Sequence, residues 1–204
     1  MKIKSPKIKN TASSNLLEVN EYYECVFNEN VSEEITIKDE CFDSCIFENI
    51  SFSNINLDNV SVTDTIFNNC DLSNKCFDFT NLTRVEFNNC KMIGTTFIGS
   101  SLNDILISNS KSSYINFSDT RITNMIINES DMNHLCLMET KIKNIDFENV
   151  DLRGSSFYNT NLNGVDFSKC NISNLTVDFK SLEGIIIDRF QAVDLVNILG
   201  VRVK

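Results

Sequence analysis

From residue 27 onward an apolar side chain recurs at every fifth position. Steps of five from Phe27 to Ile187 give (187 − 27)/5 = 32 steps, hence 33 positions, of which 31 hold Phe, Leu, Ile, Val or Met and only Ser32 and Ser112 do not. In a chain that is 42% hydrophobic, random placement would put about 14 (0.42 × 33) there. A helix repeats every 3.6 residues and a strand every 2, so neither element accounts for the beat. The position two before each apolar centre is small or β-branched, as at Cys45, Ile50, Thr65, Cys70, Thr80, Cys90, Val150, Ser155 and Thr160. Residues two apart on extended backbone share a face, so each unit sends two groups inward. The position two after the centre is rich in turn formers, among them Asn49, Asn54, Asn59, Asp64, Gly94, Gly99, Gly154 and Gly164. Each five-residue unit therefore reads as one side of a coil ending in a corner.

A second period sets the number of sides. Phe recurs in steps of twenty at 27, 47, 67 and 87 and again at 147 and 167, while a second set stands at 77, 97, 117 and 157, so four units close a turn and the two Phe sides oppose each other. The remaining sides carry mainly Leu, Ile and Met. Large and smaller residues then alternate around a narrow square interior. The predicted fold is an all-β solenoid of about eight coils (33 units over four), roughly 40 Å long at ~4.8 Å per coil.

A solenoid buries each coil only against its neighbours and needs closed ends. In DRFQAVDLVNILGVRVK, Asp188 is placed to cap a helix whose apolar stripe is Ala192, Leu195, Val196 and Leu199, with Gly200 as its stop and Val-Arg-Val as a terminal strand. Residues 1–20, with four Lys and Pro6 in the first ten, read as an N-terminal tail or cap, 21–187 as the coil body and 188–204 as the C-terminal cap.

Charge and chemistry narrow the function. Lys plus Arg total 18 against 28 Asp plus Glu, a net charge of −10, which disfavours direct nucleic-acid binding. No apolar run approaches the ~20 residues of a membrane span, and no signal peptide is visible, so a cytoplasmic location is expected. The eight cysteines lack CxxC spacing and the one histidine is His134, so neither a metal site, a cofactor nor a small-molecule substrate is expected. Cys25, Cys45, Cys70, Cys90 and Cys170 fall on the small inward position and are expected as reduced core residues. His134 falls at an outward corner with no nucleophile in view, which points to a protein that is not an enzyme.

The units VDLRG (150–154), TNLNG (160–164) and VDFSK (165–169) resemble the pentapeptide repeat family, and the resemblance extends over most of the chain. It implies a right-handed quadrilateral β-helix. The ending SLEGIIIDRFQAVDLVNILGVRVK is similar to the C-terminal cap of Qnr-type quinolone-resistance proteins and related proteins of Gram-positive bacteria. That resemblance implies a homodimer joined through the cap, here through Phe190, Leu195, Ile198 and Leu199. It also implies imitation of duplex DNA, binding to DNA gyrase or topoisomerase IV, and an effect on quinolone sensitivity. The side expected to carry this is the first Phe side, with Glu48, Glu86, Glu129, Asp146, Glu148 and Asp166 opposed there by Lys169. Exposed Phe79, Tyr114, Tyr158 and Phe179 could add a contact patch. The alternative is a structural or protein-interaction scaffold with an unrelated cytosolic partner, its acidity serving solubility alone. Unlike Qnr members with loops that interrupt the coil, this chain keeps its register from 27 to 187.

Overall fold

A computed structural model describes residues 1–9, 11–16 and 21–198. The expected solenoid is present. Its coils stack in parallel with a register of twenty residues, so that Val26, Ile46, Ile66, Glu86, Leu106, Ile126 and Asp146 form one continuous ladder. Two further sides are held by single bridges in the same register, one through Ser51, Asp71, Lys91, Lys111, Asp131, Asp151 and Asn171, the other through Cys76, Thr96, Asn116, Cys136, Ser156 and Thr176.

The corners follow from backbone conformation. Every described residue with a left-handed φ stands two after a central position of the five-residue beat, where the sequence places so many Asn, Asp and Gly; the centre is apolar or aromatic in each case but Tyr114, which follows Ser112. At corners such as Leu72–Lys75 and Met92–Thr95, an N–H donates to the carbonyl three residues back (3.1 and 3.2 Å), and the left-handed residue occupies the third turn position, which defines a type II turn. At another corner the chain stays extended, and the strands Ser61–Asn68, Asn81–Asn88, Ser101–Ser108 and Arg121–Asn128 run round it with positive φ at Asp64, Arg84, Asp104 and Asn124. Phe79, Arg84, Tyr114 and His134 adopt the same conformation despite their Cβ, because the register of the coils leaves no alternative. Each costs about 1–2 kcal/mol relative to a relaxed backbone. Glycine is needed where a corner ring lies on the next coil: a Cβ on Gly99 would sit 2.6 Å from the Phe79 ring, and one on Gly154 2.7 Å from His134.

The interior is a column of fully buried side chains. Phe47, Phe67 and Phe87 stack at 4.8 and 5.0 Å with interplanar angles of 6° and 8°, and Phe77, Phe97 and Phe117 at 5.2 and 5.1 Å. Of the two exceptions to the apolar beat, Ser32 is exposed, whereas Ser112 is buried with a hydroxyl that makes no hydrogen bond. The small inward residues do more than save space. The Thr95 hydroxyl donates to the Leu72 carbonyl (2.8 Å), Thr120 to Phe97 (2.8 Å) and Thr140 to Phe117 (2.8 Å), each joining one coil to the one before. Ser100 both donates to the Phe77 carbonyl (2.6 Å) and accepts the Thr80 N–H (3.0 Å). These side chains satisfy backbone groups that the turns leave out of the ladder. Cys70 and Cys90 occupy the same place, their thiols donating to the carbonyls of Phe47 (3.4 Å) and Phe67 (3.3 Å).

Helix Gln191–Ile198 closes the rod. Asp188 caps it as expected, its carboxylate accepting the N–H groups of Phe190 and Gln191, while the Gln191 side-chain Oε1 accepts the Asp188 N–H (2.8 Å). Gln191 is also the plug. Its buried amide donates to the carbonyls of Phe167 (2.8 Å) and Cys170 (2.7 Å), which no further coil could reach. The expected helix stop at Gly200 and the terminal Val-Arg-Val lie outside the described residues.

The N-terminal segment is more ordered in its placement than a tail. Ala12–Ser13 pairs in parallel with Cys25–Phe27 and so begins the stack. Residues 1–9 run lengthwise along the rod: the Lys7 N–H donates to Asp64 (2.8 Å) and the Met1 amine meets Asp146 at 3.4 Å. Asp64 and Asp146 are four rungs apart, ~19 Å at ~4.8 Å per rung, which six extended residues span.

Candidate functional site

The candidate surface is the first Phe side. The structure distributes its six expected acids unevenly. Glu86 stands in the same outward column as Asp146, but Leu106 and Ile126 lie between them, and Val26, Ile46 and Ile66 precede. In the next column Glu48 and Glu148 mark the ends of a polar run through Asn68, Asn88, Ser108 and Asn128. Glu48 accepts a hydrogen bond from Asn68 (2.7 Å), and Glu129, at the adjacent exposed corner, accepts one from Asn149 (2.7 Å). Only Asp146, Glu148 and Asp166 come together, lining one shallow depression with Lys169. The Lys169 ammonium, 2.8 Å from Glu148, holds that carboxyl below its ordinary range, and the Ser168 hydroxyl and N–H do the same for Asp166. The face is therefore acidic near the C-terminal end and mixed apolar and polar toward the start.

The corner beside this face carries a pairing that the sequence pattern did not single out. Asp64 and Arg84, twenty apart, form a bidentate pair with both contacts at 2.5 Å, and the guanidinium holds the Asp64 carboxyl below its usual value. Asn124 donates to Asp104 (2.9 Å) and Asn144 to Asn124 (2.8 Å), continuing the column. Ser44, Asp64 and Asp104 are buried, unlike the exposed corner residues Asn49, Asn69, Asn89, Asn109, Glu129 and Asn149. In the two columns that flank it, Thr63, Thr83, Asn103 and Thr123 are half-buried on one side and Ile66, Glu86, Leu106 and Ile126 on the other. Where residues 1–9 end, Lys143, Asn144 and Asp166 are exposed. Within the segment Ile3, Pro6 and Ile8 are half-buried and Lys2, Lys4, Lys7 and Lys9 exposed. The alternation was visible in the sequence; what it lies against was not.

At the cap, Phe190 is 71% exposed with the Arg189 guanidinium 4.6 Å over its ring, and Val193 and Ile186 are exposed nearby in sequence. Leu195 and Ile198 are half-buried against the core of their own chain, and Leu199 lies outside the described residues. Phe79, Tyr114 and Phe179 project from corners and Tyr158 from a side, all more than half exposed. They are spread over the rod and do not form one patch among the described residues, since Tyr114 stacks on His134 at 4.7 Å and Phe79 lies over Gly99.

His134 is exposed at its corner, as the register required. Among the described residues no group of three or more His, Cys, Asp or Glu could hold a metal ion, and no helix is long and apolar enough to cross a membrane. All eight cysteines are free thiols. Burial pushes the Cys45 thiol up to about 12, which makes it a poor nucleophile, whereas Cys41 and Cys76 are exposed.

Four sides of five residues, stacked in parallel at intervals of twenty and closed by a helix, define a quadrilateral solenoid that presents surfaces in place of a cleft. The chain belongs to the pentapeptide repeat family: the family described as "Pentapeptide repeat region" matches residues 35–117 and 60–135, and "Pentapeptide repeats (8 copies)" matches 136–174. No curated protein matches the sequence. Among solved structures the chain is similar to a trypsin-treated variant of QnrB1, a plasmid-mediated fluoroquinolone resistance protein, with 20% identity and a TM-score of 0.49 over 91% of this chain and 92% of that one. Full-length QnrB1 gives 20% identity and a TM-score of 0.46 over 88% and 89% of the two chains. HetL of Nostoc sp. strain PCC 7120, a pentapeptide repeat protein involved in heterocyst differentiation regulation, gives 12% identity and a TM-score of 0.30 over 80% and 83%.

Proposed function

We propose that this protein is a non-enzymatic DNA mimic that acts in the cytoplasm on DNA gyrase or topoisomerase IV and modulates quinolone sensitivity. The observation that carries the reading is the cluster of Asp146, Glu148 and Asp166 on one side of a rod with a net charge of −10. Carboxylates on successive rungs ~4.8 Å apart are sparser than the charges of duplex DNA, one per ~1.7 Å. Shape complementarity along the rod supplies the rest of the recognition.

The test is a gyrase supercoiling assay with and without a quinolone. Wild-type protein at micromolar excess is expected to change supercoiling or drug poisoning, and the combined Glu86→Lys, Asp146→Lys, Asp166→Lys variant to lose the effect. A wild type without effect refutes the proposal. Dimerisation through the cap belongs to the same reading. Phe190 supplies its exposed apolar surface, and a monomeric mass in sedimentation at tens of micromolar would count against it.

A second reading, a scaffold for another protein partner, is favoured by one feature. The column that holds Glu86 and Asp146 is otherwise apolar, with Ile46, Ile66, Leu106 and Ile126 pointing outward. Such a column suits a protein surface better than a phosphate-binding groove.

A further inference from the structure

The N-terminal segment occupies a groove rather than the end of a coil. Its floor is the corner column Asp64, Arg84, Asp104 and Asn124; its walls are the outward threonines of one side and the outward Ile66, Leu106 and Ile126 of the other. The segment fits by its chemistry. Ile3, Pro6 and Ile8 face the rod while the lysines between them stay in solvent. The Lys7 N–H reaches one oxygen of the Asp64 carboxylate that Arg84 already holds in place (2.8 Å). Lys9 meets Glu24 (3.6 Å), and Asp43, Glu86 and Asp146 add negative charge on the coils beside it. No backbone ladder joins residues 1–9 to the rod, so little main-chain hydrogen bonding opposes their removal. Lifting the segment would uncover the Asp64 carboxylate in a polar trough flanked by isoleucines.

We propose that this corner groove is a binding site for an extended peptide that alternates apolar and lysine residues. In the free protein residues 1–9 occupy it in cis and shield it until a lysine-rich segment of a partner protein displaces them. A tethered segment acts at an effective concentration of about a millimolar. A free peptide of the same sequence should then bind the wild type at least ~10-fold more weakly than a protein whose own segment has been released. This holds whatever the enzyme target of the rod, because the binding needs no topoisomerase.

The test uses the full chain with Ile3→Glu and Ile8→Glu, which places carboxylates against an acidic groove and leaves the coils untouched. Hydrogen exchange should show the Lys7 amide losing protection while the amides of 61–128 keep theirs. A fluorescent peptide with the sequence of residues 1–9 should bind this variant at least tenfold tighter than the wild type. The same peptide carrying Lys7→Pro, which lacks the N–H that Asp64 accepts, should bind at least tenfold more weakly. Equal affinity of wild type and variant overturns the proposal. So does the absence of binding to a variant whose segment is shown to be released, or an unprotected Lys7 amide in the wild type.

Discussion

Replacing Phe67 by Ala tests whether the rod is held together coil by coil. The side chain is fully buried, and its ring lies between Phe47 at 4.8 Å and Phe87 at 5.0 Å, nearly parallel to both. Truncating a buried Phe costs about 3–5 kcal/mol, and each lost ring pair is worth ~0.5–1.5 kcal/mol of that total. The site has little freedom to collapse, because the flanking backbone is tied to the coils on both sides through Ile66↔Glu86 and Ile46↔Ile66. A loss of ~5 kcal/mol is expected on that ground. Phe167→Ala removes one parallel stack, onto Phe147 at 5.5 Å, and should cost ~3 kcal/mol. Because each coil touches only its neighbours, the Phe67 defect should also divide the molecule. Urea denaturation measures the energies, and hydrogen exchange by mass spectrometry reads peptides within 25–68 and 101–148. Protection should fall in the first and persist in the second. A loss below ~1.5 kcal/mol would refute the packing estimate. An equal fall in both peptides would refute the neighbour-only coupling.

Other outcomes follow from single contacts. Gln191→Ala leaves the Cys170 carbonyl unpaired and removes one of the two hydrogen bonds to the Phe167 carbonyl, which should cost ~1–3 kcal/mol, read by thermal denaturation and by exchange in 165–187; an unchanged midpoint would remove Gln191 as the plug. Ser112→Ala deletes a buried hydroxyl without a hydrogen bond and should stabilise by ~1 kcal/mol; a lower midpoint in urea would contradict the packing described for it. The Asp64 carboxyl is depressed by Arg84, so its contribution is fully present above the unfolded value of ~3.9 and is lost as pH falls through the lower folded value. Asp64→Asn should therefore destabilise at pH 7 and flatten the loss of stability below pH ~4; parallel pH profiles for the two proteins would exclude this role.

How far the sequence reached depended on the range of each interaction. The five-residue beat and the Phe recurrence at twenty are strictly periodic, so the square coil could be read from residues such as Phe47, Phe67 and Phe87 without any coordinates. The Asp188 cap was equally legible, since an acidic residue three before Gln191 is a local signal. The second Gln191 role was not, because the Cys170 carbonyl lacks a partner only when the stack ends there. The spacing of the acids along their side was less legible. Six acids share the side, but Leu106 and Ile126 separate Glu86 from Asp146 within one column.

What the sequence determined alone is the architecture, because burying one apolar group per five residues on every side has a single periodic solution. What only the tertiary structure decided is the path of residues 1–9. Their alternation of Ile3, Pro6 and Ile8 with lysines is compatible with any apolar groove beside acids. The corner at Asp64 and Asp104 exists only once coils twenty residues apart have stacked and placed Arg84 between two carboxylates. A periodic signal propagates along the chain, whereas a single segment packing across four rungs depends on contacts between residues as distant as Lys7 and Asp64.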